Sequence, residues 1–119
     1  MLFNTSSGKK VLFITDSYES LKLKKDTSIQ MIDEAIKNKL DVFQCELNDL
    51  FIEEDTVFAN SSSILSSQSK FIKDIDKKEI IVSDFKHCFM RKEPPVDEDY
   101  INALHLLGLA EKQGANVHN

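Results

Sequence analysis

With 119 residues, 41% of them apolar, 29% charged and none a tryptophan, the chain is long enough for one core and too polar for a membrane-embedded protein. Its net charge of −5 arises from 15 basic and 20 acidic residues interspersed along the sequence, which excludes the clustered Lys/Arg face that a nucleic-acid backbone requires. The longest apolar runs, Val11 to Ile14 and Ile80 to Val82, fall far short of the ~20 residues of a membrane span, and the polar N-terminus lacks the pattern of a secretory signal. The reading is a cytoplasmic protein with neither nucleic acid nor membrane as a partner.

Lys9 to Asp16 is a charged lead-in, a continuous apolar run and a terminal acid, the pattern of a strand buried on both faces of a parallel sheet. After a polar loop, Thr27-Ser28-Ile29-Gln30 offers a capping box, and Ile29, Ile32, Ala35, Ile36 and Leu40 follow at helical spacing. Asp41 to Leu47 alternates as a second strand, completing a right-handed βαβ unit. Leu50 to Ile52 and Thr56 to Ala59 flank Glu53-Glu54-Asp55 as a small hairpin insertion. Residues 60 to 69, rich in serine, read as a loop or as an edge strand around Ile64 and Leu65.

Of the short runs Ile80 to Val82 and His87 to Met90, the second is the better central strand. Pro94 and Pro95 then force a turn, and Asp97 to Gln113 is a helix with acids at its start, Lys112 and Gly114 at its end, and a stripe of Ile101, Leu104, Leu107 and Ala110. Gly108 inside that helix is tolerable where it allows close packing. Ala115 to His118 begins a last strand. The fold class is α/β, a Rossmann-like three-layer domain with a mostly parallel central sheet. Cys45 and Cys88 each fall within a strand and read as reduced, buried thiols.

In such sheets ligands collect beyond the carboxyl ends of the parallel strands. Three segments belong there: Asp16 with Ser17, Lys24-Lys25-Asp26-Thr27-Ser28, and Arg91-Lys92-Glu93-Pro94-Pro95. They bring cations and free helix amides to one rim, where a guanidinium fork suits a carboxylate, so the ligand is small and acidic. The pattern leaves open whether Lys24 and Lys25 are a solvated pair, and whether Arg91 braces the turn by pairing with Glu93 or Asp97. His87, His105 and His118 have no metal-ligand spacing, either with one another or with the cysteines. With three scattered glycines, no Walker or GxGxxG loop and no nucleophile elbow, nucleotide must be held elsewhere.

Two stretches, Asp16 to Ala35 with Leu23-Lys24-Lys25-Asp26-Thr27-Ser28, and Phe89-Met90-Arg91-Lys92-Glu93-Pro94-Pro95-Val96-Asp97, resemble the N-terminal domain of prokaryotic glutathione synthetase. The segment Ala110 to Asn119 is also similar to that family, the match being weakest over residues 50 to 80. Val96 stands where the family tends to have Phe, and Thr27 where Ser is frequent.

The resemblance implies a single substrate-side domain over residues 1–119, without the ATP-grasp domains that follow in the family. It implies an overall reaction in which ATP phosphorylates the C-terminal carboxylate of γ-glutamylcysteine and the amine of glycine displaces the phosphate. The chain itself would bind no cofactor and be inactive alone, ATP and Mg²⁺ (or Mn²⁺) being expected for the complete enzyme. It would bind γ-glutamylcysteine weakly, partner an ATP-grasp domain in cis or in trans and contribute to a homo-oligomer interface. Arg91, Lys24, Lys25, Thr27, Ser28, Asp16 and Ser17 would face the dipeptide, with Pro94 and Pro95 shaping the cleft. The competing reading is a free-standing binding module that kept the fold and lost the enzyme.

Overall fold

The computed structural model describes residues 9–17, 19–20, 27–67, 70–92 and 95–119. At its centre is β1 (Lys10–Ile14), whose last four residues are at most 1% exposed. Strand β1 pairs in parallel with β2 (Asp41–Cys45) on one side and β6 (His87–Met90) on the other. A two-residue strand, β7 (Val117–His118), continues the parallel half beside β6.

The other half is antiparallel, which corrects the expectation of a mostly parallel sheet. Strand β4 (Thr56–Ser67) pairs antiparallel with β2, with β3 (Leu50–Glu53) and with β5 (Lys70–Ile81). Both β3 and β2 lie along one side of β4, the first on Thr56 to Ala59 and the second on Ser62 to Ile64, while β5 runs along its opposite side. The hairpin expected around Glu53-Glu54-Asp55 is present, and of the two readings of the serine-rich stretch the strand holds for residues 60–67, paired on both sides and not at an edge. Its serines are small enough to pack inside: Ser61 and Ser62 are buried, and the Ser61 hydroxyl donates to the Lys78 carbonyl at 3.5 Å. Strand β2 is likewise continuously buried from Val42 to Cys45 instead of alternating, because both faces of the sheet are covered there: Val42 belongs to one core cluster and Phe43 and Cys45 to the other.

Alternation along the central strands divides the core between two helices. Val11, Phe13, Val42 and Ile64 meet Ile32 and Ala35 of α1 (Thr27–Lys37). Leu12, Ile14, Phe43, Cys45, Cys88 and Met90 meet Ala103, Leu107 and Ala110 of α2 (Glu98–Lys112) on the opposite face. The three-layer expectation therefore holds for the described residues. Each large side chain so buried contributes roughly 1.5–3 kcal/mol. The expected stripe holds at Leu107 and Ala110 and fails at its start, where Ala103 is buried while Ile101 and Leu104 are 44% and 37% exposed.

Helix α2 ends where the sequence places its stop. Gly114, at φ 104°, donates to the Glu111 carbonyl at 3.0 Å and Ala115 donates to Ala110 at 2.9 Å, the paired bonds of a Schellman cap. Both cysteines are buried and free. Among the described residues no helix is long and apolar enough to cross a membrane.

Candidate ligand-binding rim

The carboxyl ends of β1, β2 and β6 converge on one edge of the sheet. The Arg91 amide donates to the Ile14 carbonyl at 2.8 Å and the Thr15 amide to Cys45 at 3.0 Å, so the ladder carries Arg91, Thr15 and Asp16 out as rigid extensions of the strands. Gln44 lies beneath them, 2% exposed. Its Nε2 group faces Thr15 Oγ1 at 3.1 Å and the carbonyls of Cys45 and Asp16 at 3.3 and 3.4 Å. Thr15 Oγ1 in turn donates to the Asp16 carbonyl at 2.7 Å. A buried amide in such a network fixes the backbone above it, since leaving one partner unpaired costs about 1–3 kcal/mol.

Two charged arrangements sit on this base. On the α1 side, Arg91 Nε donates to Ser28 Oγ at 3.3 Å; Ser28 is fully buried in the first turn of α1, a turn that contains no acid. On the other side, Lys92 Nζ pairs with Asp16 Oδ1 at 2.9 Å, the two side chains 21% and 18% exposed. Ser17 Oγ accepts the Ser20 amide at 3.2 Å. Arg91, Ser28, Asp16 and Ser17 thus all belong to this rim. Lys24, Lys25 and Pro94 lie outside the described residues, as does the side chain of Thr27, whose backbone opens α1. Pro95 is exposed on the connection to α2, and Asp97, weighed as a partner for Arg91, caps that helix by accepting the Tyr100 amide at 3.0 Å.

A cavity of about 150 Å³ opens beside Lys92, between the end of β1, the turn after β2 and the start of α2. Asp16, Glu46, Asp97 and Asp99 line it together with Asn48. The turn Leu47–Asp49 that carries Asn48 is pinned, because Asp49 Oδ2 accepts the Glu46 amide at 2.8 Å while Oδ1 holds Lys77 Nζ at 2.8 Å. The rim is therefore bipolar: a guanidinium and an acid-free helix start on one side, a carboxylate-rich cavity around one lysine on the other. The residue pattern had put Arg91 and Lys92 at this rim and missed Gln44, Glu46 and Asn48. Gln44 did carry a signal, as a polar residue inside the apolar run Val42-Phe43-Gln44-Cys45.

Among the described residues no group of three or more His, Cys, Asp or Glu side chains could hold a metal ion. The described carboxylates therefore do not gather into the oxygen cage that the Mg²⁺ implied for the complete enzyme would require.

A sheet held between two helices, with a polar rim at the ends of its parallel strands, defines a three-layer α/β domain. The model of the family "Prokaryotic glutathione synthetase, N-terminal domain" matches residues 10–119, and the chain belongs to that family. It is 32% identical over 112 residues to the glutathione synthetase of Buchnera aphidicola subsp. Schizaphis graminum, covering 92% of this chain and 35% of that protein. It is 36% identical over 115 residues to that of Nitrosomonas europaea and 36% over 116 residues to that of Neisseria meningitidis serogroup A, covering in each case 92% of this chain and 36% of the relative. The chain thus spans about a third of the length of these relatives.

Proposed function

We propose that this chain is the substrate-side domain of an ATP-dependent glutathione synthase that joins γ-glutamylcysteine to glycine. It forms one wall of the dipeptide cleft and part of a subunit interface, and it does not turn over alone. The observation that carries this reading is the bipolar rim in a chain of this family. γ-Glutamylcysteine bears carboxylates and an ammonium group. Arg91, with the start of α1 around Ser28, suits a carboxylate, and the acids around Lys92 suit the ammonium.

Lys24, Lys25, Thr27, Asp16 and Ser17 complete the substrate-facing set in this reading, and Pro94 and Pro95 give the cleft its shape. ATP with Mg²⁺ or Mn²⁺, held by an ATP-grasp part in cis or in trans, supplies activation of the dipeptide carboxylate when bound. The residues of this chain contribute by holding the dipeptide in register with it.

The test is ADP release by the chain joined to an ATP-grasp part, in cis or in trans. Release that requires both γ-glutamylcysteine and glycine is expected, with none from the chain alone. Arg91→Ala should raise the KM for γ-glutamylcysteine by roughly 10- to 100-fold, the loss of one charge-assisted contact, and leave the KM for ATP unmoved. An assembled complex without dipeptide-dependent release overturns the reading, and dipeptide binding without release would favour the free-standing module.

A further inference from the structure

The face of the sheet on which α1 packs continues across β6 and β7, and four side chains meet there for reasons set by strand register. Phe89 lies opposite His118 in the parallel ladder, and alternation places His87, two residues earlier on β6, on the same face, with Asn116 just ahead of β7 beside it. The Asn116 carbonyl accepts the Cys88 amide at 2.9 Å, which holds the start of β7 against β6. Phe13 stacks on Phe89 with centroids 5.0 Å apart, and Phe89 stacks on the His118 ring, also at 5.0 Å. The exposed His118 imidazole is thereby braced through two phenyl rings to the centre of the core.

This bracing brings His87 Nδ1 to 3.0 Å from His118 Nε2 and to 2.9 Å from Asn116 Nδ2. One ring nitrogen offers a single hydrogen or a single lone pair, and it faces two polar neighbours. The 3.0 Å separation is that of a hydrogen bond between the two rings, and it also falls within the roughly 2.8–3.4 Å that a metal ion with bonds of about 2.0–2.1 Å sets between two imidazole nitrogens, from square-planar to tetrahedral geometry. Asn116 Nδ2 also reaches the Lys86 carbonyl at 3.5 Å, a long contact that a half-turn of the amide would give up in bringing Oδ1, an oxygen donor, to the same point.

We propose that His87 and His118, with Asn116 as a third donor, form a site for a late first-row divalent cation, Cu²⁺ or Zn²⁺. Imidazole nitrogen is the preferred donor for these ions, and Cu²⁺ binds such ligands most tightly of the series. An ion held there ties the two-residue strand β7 to β6 at the sheet margin, on the opposite side of β1 from β2. The site is separate from the rim and owes nothing to the dipeptide reading.

The test uses Cu²⁺ and Zn²⁺ as probes on the intact chain. Electron paramagnetic resonance of one equivalent of Cu²⁺ should show hyperfine coupling to two imidazole nitrogens, and Zn²⁺ titrated by calorimetry should bind one-to-one and raise the melting temperature. His87→Ala and His118→Ala should each weaken binding at least roughly tenfold, and Asn116→Ala by less. His105→Ala, on the exposed side of α2, should change nothing. Both histidine positions are surface-facing, so circular dichroism of the variants is expected to match the parent. Coupling to one nitrogen, equal binding by the His87→Ala/His118→Ala double variant, or no binding at all would overturn the site.

Discussion

Gly108 sits inside α2, and a Cβ built on it meets nothing within 4 Å. The close approach that would justify a glycine there is absent, so Gly108→Ala should stabilise the fold by up to about 1 kcal/mol, read as a higher urea midpoint with an unchanged slope. Glu54 and Asp55 pose the reverse problem. They form the two-residue turn between β3 and β4 with φ of 50° and 64°, a region that costs a side-chain-bearing residue roughly 1–2 kcal/mol. Replacing them by Asn-Gly, which keeps the backbone Asp55 carbonyl that accepts the Gln113 side chain, should raise the melting temperature by several degrees; a fall would show that the Glu54 and Asp55 side chains hold the turn. At this scale the rim was legible only where its residues form a motif. Arg91, Ser28 and Asp16 lie next to strand ends and helix starts, which pattern reveals. Glu46 and Asn48 reach the cavity through a turn whose direction depends on Asp49 and Lys77, a pair separated by 28 residues that no local spacing exposes.

Elements that bury continuous or periodic apolar surface were readable from the chain alone: β1, α1, β6, and the start and stop of α2 agree closely with expectation. Two elements were only partly readable. Strand β4 carries Asn60 and Ser61 to Ser63, residues with weak strand preference, and it is held by ladders on both sides instead of by its own composition. Tertiary pairing overrode local polarity there. In α2 the expected Leu107 and Ala110 are buried, but the small Ala103 takes the inward place that hydrophobicity alone assigns to Ile101 and Leu104.

For the molecule as a whole, the two buried thiols dictate how stability responds to alkali. Burial pushes the Cys88 thiol up to about 12 from its ordinary 9.0, and burial followed by the charge of Asp49 raises Cys45 well above the same value. Below pH 9 folded and unfolded chains hold these protons equally; above it the unfolded chain releases them first, so stability declines as pH rises from about 9 toward 12. Urea denaturation between pH 7 and 10.5 should show this decline, and a Cys45→Val/Cys88→Val variant should flatten it. The overall architecture was half legible: the parallel core and its two covering helices follow from βαβ logic, whereas the antiparallel wing depends on which side of β4 each neighbour takes. The position of β1 between β2 and β6 also carries a message for synthesis. One flank of the first strand is satisfied by residues 41–45, but the other waits for residues 87–90. A ribosome that pauses between those segments would hold a nascent sheet with one raw seam beside Leu12 and Ile14, the moment at which a chaperone has most to protect.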